Sequence, residues 1–357
     1  MRVARWHGQR DVRVDDVDEP ALDADAVRID VTAAGICGTD LHEYADGPDF
    51  LPAPGDPHPL SGVTPPVPLG HEFSGTVAEV GADVTAVSVG DPVTVNPAVV
   101  CEDCRYCRAG DHHLCPDVAN IGLGMESGGF AESVVAPEGN VVGLPPDLPV
   151  ELGALVEPYA VGLHAVRRSA LDAGDSVAVF GCGPIGLTIL EMARVAGAGE
   201  IFVSEPRAGR RALAADLGAD VTLDPRAGDA VETVREATDG GVDVAFEAAG
   251  VTPTYTAAIE STRHGGEILT VGIAQSPVDV VPKDIAVRER SIVGSNGYLS
   301  GPRGREEFGA VVDRLAAGDC HPGALVTGRI SLDDIVDGGF EALLGDDGDH
   351  VKILVEP

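Results

Sequence analysis

The stretch SVAVFGCGPIGL, residues 176 to 187, constrains the fold more than any other part of the chain. An apolar run of strand formers leads into Gly181, Gly183 and Gly186, spaced G-x-G-x-x-G, and a helical pattern opens at Pro184. The first glycine permits a tight turn, the second lets backbone approach a pyrophosphate, and the third allows a helix to pack closely on a strand. Pro184 suits the first turn of a helix, where its missing N–H leaves nothing unsatisfied. With Ile185 between them, these residues form a helix N-terminus whose free N–H groups and positive dipole end suit phosphates.

A lone glycine motif is weak, but this one begins a series. IFVSE, DVTLD, VDVAFEAAG and GEILTVGI read as near-continuous apolar strands. Helical patterns through Pro184–Val195, RRALAADLG, VETVREAT and TYTAAIESTR separate them. Such alternation predicts a parallel sheet covered on both faces, a doubly wound Rossmann domain over residues 156–294. Glu205 closes the second strand nineteen residues after Gly186. An acid there binds both ribose hydroxyls and repels a 2′-phosphate, which favours NAD over NADP. Arg207, Arg210 and Arg211 follow closely and suit either a 2′-phosphate or a solvated helix face.

Before residue 155 the rhythm differs. VRIDVTAAGI, FSGTVAEV, DPVTVNPAVV and GFAESVVAPEGNVVGL are short β-like runs between Gly, Pro and Asp breakers, and no long amphipathic helix stands among them. The Pro- and Gly-rich segment from Asp46 to Pro68 reads as a long loop. At 357 residues two domains are expected. They are a β-rich domain over 1–155 with a lobe at about 96–118, the α/β domain over 156–294, and a return to the first over 295–357. The final VKILVEP reads as a strand that rejoins the first domain's sheet.

Charge narrows the partners. Acidic residues number 58 against 24 basic ones, for a net charge of −34, and only Lys283 and Lys352 are lysines. That excess repels phosphate backbones and anionic membranes, so no nucleic acid and no membrane partner is expected. The acids are spread along the whole chain, as in proteins of strongly saline cytoplasms, where ions screen self-repulsion. Nothing approaches about 18 consecutive apolar residues, and MRVARWHGQRDV lacks the apolar core of a secretory signal. The expected location is the cytoplasm.

Seven cysteines divide into a cluster and three singles, Cys37, Cys182 and Cys320. The cluster, CEDCRYCRAGDHHLC, places Cys101, Cys104, Cys107 and Cys115 as C-x2-C-x2-C-x7-C. A ferredoxin-type iron–sulfur run has three residues before its last cysteine, not seven. A nucleic-acid knuckle needs a basic face. The remaining reading is a closed zinc site with four thiolate ligands that orders a loop, with His112 and His113 at its surface. Cys182 reads as a small apolar residue.

A second set of ligand types is dispersed. AAGICGTDLHEY offers Cys37, Thr39 and His42, PLGHEFSG offers His71 and Glu72, and ALVEPYAVGLHA offers Glu157. Thiolate, imidazole and carboxylate are the donors of a catalytic zinc that keeps one position open. A zinc held so acts as a Lewis acid on an alcohol oxygen. Singly, each residue has a plainer reading: a buried thiol, a turn histidine, a surface carboxylate. His164 reads as a packed helix residue, and Asp40 and Glu43 as residues that set loop structure or charge.

Together, GICGTDLH, GHEFSGTVAEVG, the four-cysteine lobe, LVEPYAVGLHA and VFGCGPIG stand in an order and spacing that resembles the zinc-dependent medium-chain alcohol dehydrogenases over essentially the full chain. Within them the chain is most similar to the polyol branch, and ICGTDLHEYADGPDF with HPLSGVTPPVPLGHEFSG looks like (R,R)-2,3-butanediol dehydrogenases. The resemblance implies a GroES-like catalytic domain beside the Rossmann domain, an active site in the cleft between them, and a homodimer or homotetramer. It implies two zincs per chain. Cys37 and His71 match the first two ligands of the catalytic zinc, and Glu157 matches the third position. Glu72 matches a neighbouring glutamate that ligates or sits just behind. Thr39 matches the residue that bonds the reacting hydroxyl, and His42 the histidine that relays its proton by way of the cofactor ribose. The implied reaction is reversible oxidation of a secondary alcohol, a vicinal diol such as 2,3-butanediol to acetoin, with NAD. Sorbitol- or glucose-type polyols and L-threonine are the alternative substrates.

Overall fold

A computed structural model describes residues 1–274, 276–345 and 350–357. The chain divides into two units. Met1–Glu157, Leu299–Gly318 and Val326–Pro357 make the first, and Pro158–Tyr298 with Asp319–Leu325 the second.

In the second unit the apolar runs become six parallel strands. In chain order they are Val177–Phe180, Ile201–Ser204, Val221–Leu223, Val242–Glu247, Thr262–Thr270 and Ser291–Gly294. They lie side by side in the order third, second, first, fourth, fifth, sixth, all parallel. This is the doubly wound arrangement expected from the β–α alternation. The helices Pro184–Val195, Ala208–Asp216, Ala230–Ala237 and Thr252–Ser261 follow successive strands. Ala178, Phe180, Phe202, Val234, Ala245 and Ala258 fill the core between sheet and helices. The edge strand Ser291–Gly294 is largely exposed and has no apolar run to announce it.

The first unit is built around the strand Ala26–Gly35. It pairs antiparallel with Glu72–Val80, with Ser133–Pro137 and with the terminal strand Lys352–Glu356. The register sets Gly35 opposite both Glu72 and Leu354. Residues far apart in sequence therefore meet where this strand ends, just before Cys37. Trp6, Phe73, Phe130, Ile29 and Phe340 lie fully inside the core beneath, each contributing about 1.5–3 kcal/mol by burial.

Among the described helices of eight residues or more, two are not evident in the sequence pattern. Gly38–Ala45 is only eight residues long, too short to show a period. Gly301–Ala317 opens with Gly and Pro and carries four charges in its first half, which hides its periodicity. Its buried face, Gly304, Phe308, Val311, Val312 and Leu315, nevertheless recurs at helical spacing.

Candidate active site and metal centres

Cys37 caps the helix Gly38–Ala45, and its backbone N–H donates to Asp40 Oδ2 at 2.9 Å. This fixes the thiol at the end of the central strand. The Asp40 side chain is completely buried, and its other oxygen lies 3.5 Å from His71 Nδ1. A carboxylate behind a histidine fixes the ring orientation and raises its basicity, an arrangement recurrent in metal sites. Burial alone would push the His71 pKa down, but Asp40 and Cys37 outweigh it and hold it well above the usual histidine value. Such a ring surrenders its proton to a dication that the same two groups attract.

Cys37, His71 and Glu72 offer ligand atoms all within 4.8 Å of one another. Thr39 Oγ1 lies 3.8 Å from Cys37 Sγ, and His42 sits one turn further along the same helix, half-buried. Glu157, also buried, occupies the first turn of the helix Val156–Arg168 but falls outside the three-residue group. It stands near enough to Lys352 for its charge to favour that ammonium. A thiolate, an imidazole and two buried carboxylates fit a catalytic zinc by donor chemistry.

The lobe is a separate site in the same unit. Cys101, Cys104, Cys107 and Cys115 bring their sulfurs within 4.8 Å of one another, with contacts of 3.5 Å for Cys104–Cys107 and Cys115–Cys101 and 4.0 Å for Cys101–Cys107. Four sulfurs about 2.3 Å from a tetrahedral zinc lie about 3.8 Å apart, so the spacing fits. Amide N–H groups of Cys104 and Cys107 donate to the sulfurs of Cys101 and Cys104 at 3.3 and 3.4 Å. The N–H of Cys107 draws the Cys104 thiol down to about 7, whereas burial and neighbouring sulfurs push Cys107 up to about 12. Without a cation these thiols cannot all ionise together. The ring of His112 packs beside Gly301, at the start of the long helix, and neither His112 nor His113 belongs to the sulfur cluster.

In the second unit the glycine turn has the expected form. Gly181 has φ of 93°, open to glycine, and lies against Ala249. A Cβ at Gly186 would collide with the Gly181 carbonyl oxygen, so the helix approaches the strand as closely as backbone allows. At Gly183 the nearest atom to such a Cβ is Arg210 Nη1, 3.8 Å away. Glu205 is buried, accepting the N–H groups of Cys182 and Arg207, both at 2.9 Å. Arg211 donates to the Glu205 carbonyl at 2.7 Å and pairs with Asp224 at 3.0 Å. Burial pushes the Cys182 thiol up, as suits a packing residue, and His164 is buried on its helix.

Comparison with known proteins decides the family. Residues 23–146 match the alcohol dehydrogenase GroES-like domain, and residues 184–317 match the zinc-binding dehydrogenase domain. The (R,R)-butanediol dehydrogenase of Bacillus subtilis (strain 168) is 43% identical over 357 residues, covering 100% of both chains. The chain belongs to the zinc-binding medium-chain alcohol dehydrogenases. Its fold agrees with the crystal structure of 2R,3R-butanediol dehydrogenase from Bacillus subtilis at a TM-score of 0.92, covering 100% of this chain and 99% of that one. A zinc-binding dehydrogenase from Sinorhizobium meliloti 1021 bound to NADP, 34% identical, gives 0.88 over 100% of this chain and 99% of that one.

Two groups in this dehydrogenase escaped the sequence reading of the site. Asp40, expected only to set loop structure or charge, lies on the helix between Cys37 and His71 and faces both. Lys352 lies 280 residues from Glu72, yet its Nζ donates to both Glu72 oxygens at 2.6 Å. Its only sequence signal is rarity, as one of two lysines among 24 basic residues. No helix among the described residues is long and apolar enough to cross a membrane.

Proposed function

We propose that the chain reversibly oxidises a secondary alcohol, a vicinal diol such as (R,R)-2,3-butanediol, to the corresponding ketone, acetoin, with hydride transfer to NAD. The observation that carries this reading is the convergence of Cys37, His71 and a buried carboxylate beside Thr39, in a chain of this family. The full-length similarity to the Bacillus subtilis enzyme supports the diol. In this reading Cys37, His71 and one carboxylate, drawn from Glu72 and Glu157, hold a catalytic zinc. Bound there, zinc supplies Lewis acidity that makes a hydroxyl group easier to deprotonate. Thr39 Oγ1 receives the hydroxyl proton, and His42 carries it onward towards solvent. Cys101, Cys104, Cys107 and Cys115 hold a structural zinc that orders the lobe.

Gly181, Gly183, Pro184, Ile185 and Gly186 receive the pyrophosphate of the cofactor, with Arg210 beside the turn. Glu205 selects NAD. Its buried carboxylate, anchored by two amide N–H groups, presents negative charge where a 2′-phosphate would lie. Glu205→Gln is expected to raise the KM for NAD by about 10-fold while improving kcat/KM with NADP. Unchanged preference in steady-state kinetics would remove the role.

Turnover of enantiopure 2,3-butanediols, sorbitol and L-threonine, with NAD and NADP in molar KCl, tests the substrate. Activity on sorbitol with none on butanediol or acetoin overturns the diol reading. The high salt follows from the proposed adaptation of this acidic surface to a saline cytoplasm. Light scattering under the same conditions tests the homodimer or homotetramer. For the lobe, Cys104→Ser is expected to remove one of two zincs per chain and lower the melting temperature by about 5 °C. An unaltered zinc count in that variant would rule the cluster out as a metal site.

A further inference from the structure

The four-cysteine lobe is the loop of a two-stranded ribbon, Ala98–Val99 paired antiparallel with Ala119–Asn120. On the returning side the Val118 N–H donates to the Cys115 carbonyl at 3.4 Å, and the Ile121 N–H to the Pro97 carbonyl at 2.9 Å. Four sulfurs gripping a metal therefore also close this ribbon and fix the direction in which the chain leaves it. Residues 118–124 run on from the lobe as a strap, with Ala119, Ile121 and Leu123 buried. A Cβ at Gly122 would collide with the Gly70 carbonyl oxygen and stand 3.0 Å from the His71 nitrogen. The strap thus lies directly against the backbone of a candidate zinc ligand.

The same strap holds a second segment. Residues 46–66 join the helix Gly38–Ala45, which carries Thr39 and His42, to the short strand Val67–Pro68, three residues before His71. The loop leaves the helix beside Glu43, whose buried carboxylate accepts the N–H groups of Asp49 and Phe50. Residues 53–57 are then exposed, and at His58 the chain returns to the protein. Backbone bonds from His58 N to Val63 O at 2.9 Å and from Gly62 N to His58 O at 2.8 Å close a turn there. His58 Nδ1 accepts the N–H groups of Leu60 and Ser61 at 3.2 and 3.4 Å, so the ring proton sits on Nε2. Nε2 donates to the Val118 carbonyl at 3.2 Å, and Ser61 Oγ donates to the Gly124 carbonyl. Two side chains of one turn therefore grip the two ends of the strap.

We propose that His58 is a positioning residue that clasps the loop of residues 46–66 to this strap, so that order in the four-cysteine lobe sets how tightly the alcohol is held. The inference rests on the reading that Cys37, Thr39 and His71 form the catalytic site. The two ends of the loop frame those groups, one leaving the helix that carries Thr39 and the other leading into His71. Released from the strap, the loop must be ordered each time an alcohol binds, and that cost falls on substrate affinity. Lobe, strap and loop all belong to the first unit and the glycine turn to the second, so the cost falls on the diol and not on NAD. Through this clasp a closed metal site, with no position open to substrate, still bears on turnover.

Two substitutions in the full-length, zinc-loaded enzyme separate the two functions of the ring. In His58→Asn the side-chain oxygen takes the place of Nδ1 and still accepts the Leu60 N–H, as asparagine does in turns, but nothing reaches Val118. In His58→Gln the amide N–H reaches as far as Nε2, and the acceptor for Leu60 and Ser61 is lost. Hydrogen exchange of residues 46–66, read by mass spectrometry, is expected to be about 10-fold faster in His58→Asn and near wild type in His58→Gln. The KM for 2,3-butanediol is expected to rise by about 10-fold in His58→Asn, with the KM for NAD and the zinc content unchanged. Cys104→Ser is expected to speed exchange of the same loop in the wild-type background and to add little in His58→Asn, since one clasp transmits both effects. The His58 pair decides the matter even if Cys104→Ser fails to fold. Wild-type exchange in His58→Asn, the reverse order of the two variants, or an equal effect of Cys104→Ser in both backgrounds overturns the proposal. Faster exchange with an unmoved KM for the diol overturns it too. If no form of the enzyme turns over the diol, the failure lies in the substrate reading, and the exchange measurements still decide the clasp.

Discussion

Cys37→Ser is expected to abolish diol oxidation and to lower the zinc content from two per chain to about one, with the fold retained. The fold survives because Cys37 supports its helix through backbone: its N–H donates to Asp40, and serine is itself a favoured helix cap. The metal does not survive, because a serine hydroxyl offers no thiolate and His71 with one carboxylate leaves only two of the three protein ligands a catalytic zinc takes. A metal acting as a Lewis acid supplies several kcal/mol of transition-state stabilisation. At about 1.4 kcal/mol per tenfold, the loss is about 10³-fold or more in kcat/KM. Metal analysis beside circular dichroism checks the claim. A folded variant that keeps both zincs and turns over normally would sink the assignment of this site.

Gly186→Ala should be the most damaging small change in the second unit. Its added methyl meets the Gly181 carbonyl, so the helix Pro184–Val195 must move away from the strand Val177–Phe180. If this helix end orients the cofactor as proposed, displacing it by about 1 Å costs about 100-fold in kcat/KM for NAD. Stability falls too, since fully buried Leu187, Ile189 and Leu190 are carried on that helix. Gly183→Ala provides the contrast. The nearest atom to its methyl is a flexible arginine end 3.8 Å away, so the protein itself accommodates the change. It is expected to melt like the wild type and yet bind NAD weakly, because the methyl occupies the approach of the pyrophosphate. Thermal melts and a fluorescence titration with NADH separate the two. Wild-type behaviour from Gly186→Ala in both would contradict the close approach described here.

Much of the second unit was legible because its signals are local. Four residues of strand, a glycine turn and a helix starting at Pro184 are adjacent in the chain, and each local choice agrees with the sheet they build. The edge strand Ser291–Gly294 and the helix Gly301–Ala317 were passed over for a related reason. Their sequences are short, charged or glycine-bearing, and packing rather than intrinsic pattern makes them regular. At the candidate site, Cys37, Thr39 and His42 were visible together because one short helix carries Thr39 and His42 and is capped by Cys37. The roles of Asp40 and Lys352 were not, since nothing in DLHEY or VKILVEP names the partner that each will find.

By itself, the sequence determined the βα alternation, the glycine turn, the four-sulfur lobe and the residue types needed for a zinc-assisted oxidation. The glycine turn, the lobe and each β–α step are written within short spans, where covalent spacing sets geometry, whereas the zinc donors are dispersed from Cys37 to Glu157. Only the tertiary structure decided which carboxylates are anchored and by what. Strand pairing of Ala26–Gly35 with Glu72–Val80 and Lys352–Glu356 brings Glu72 and Lys352 together from 280 residues apart. There, removal from water makes two full charges indispensable to each other. A buried charge has no meaning in sequence until folding removes its water, and it then fixes what its neighbours can do.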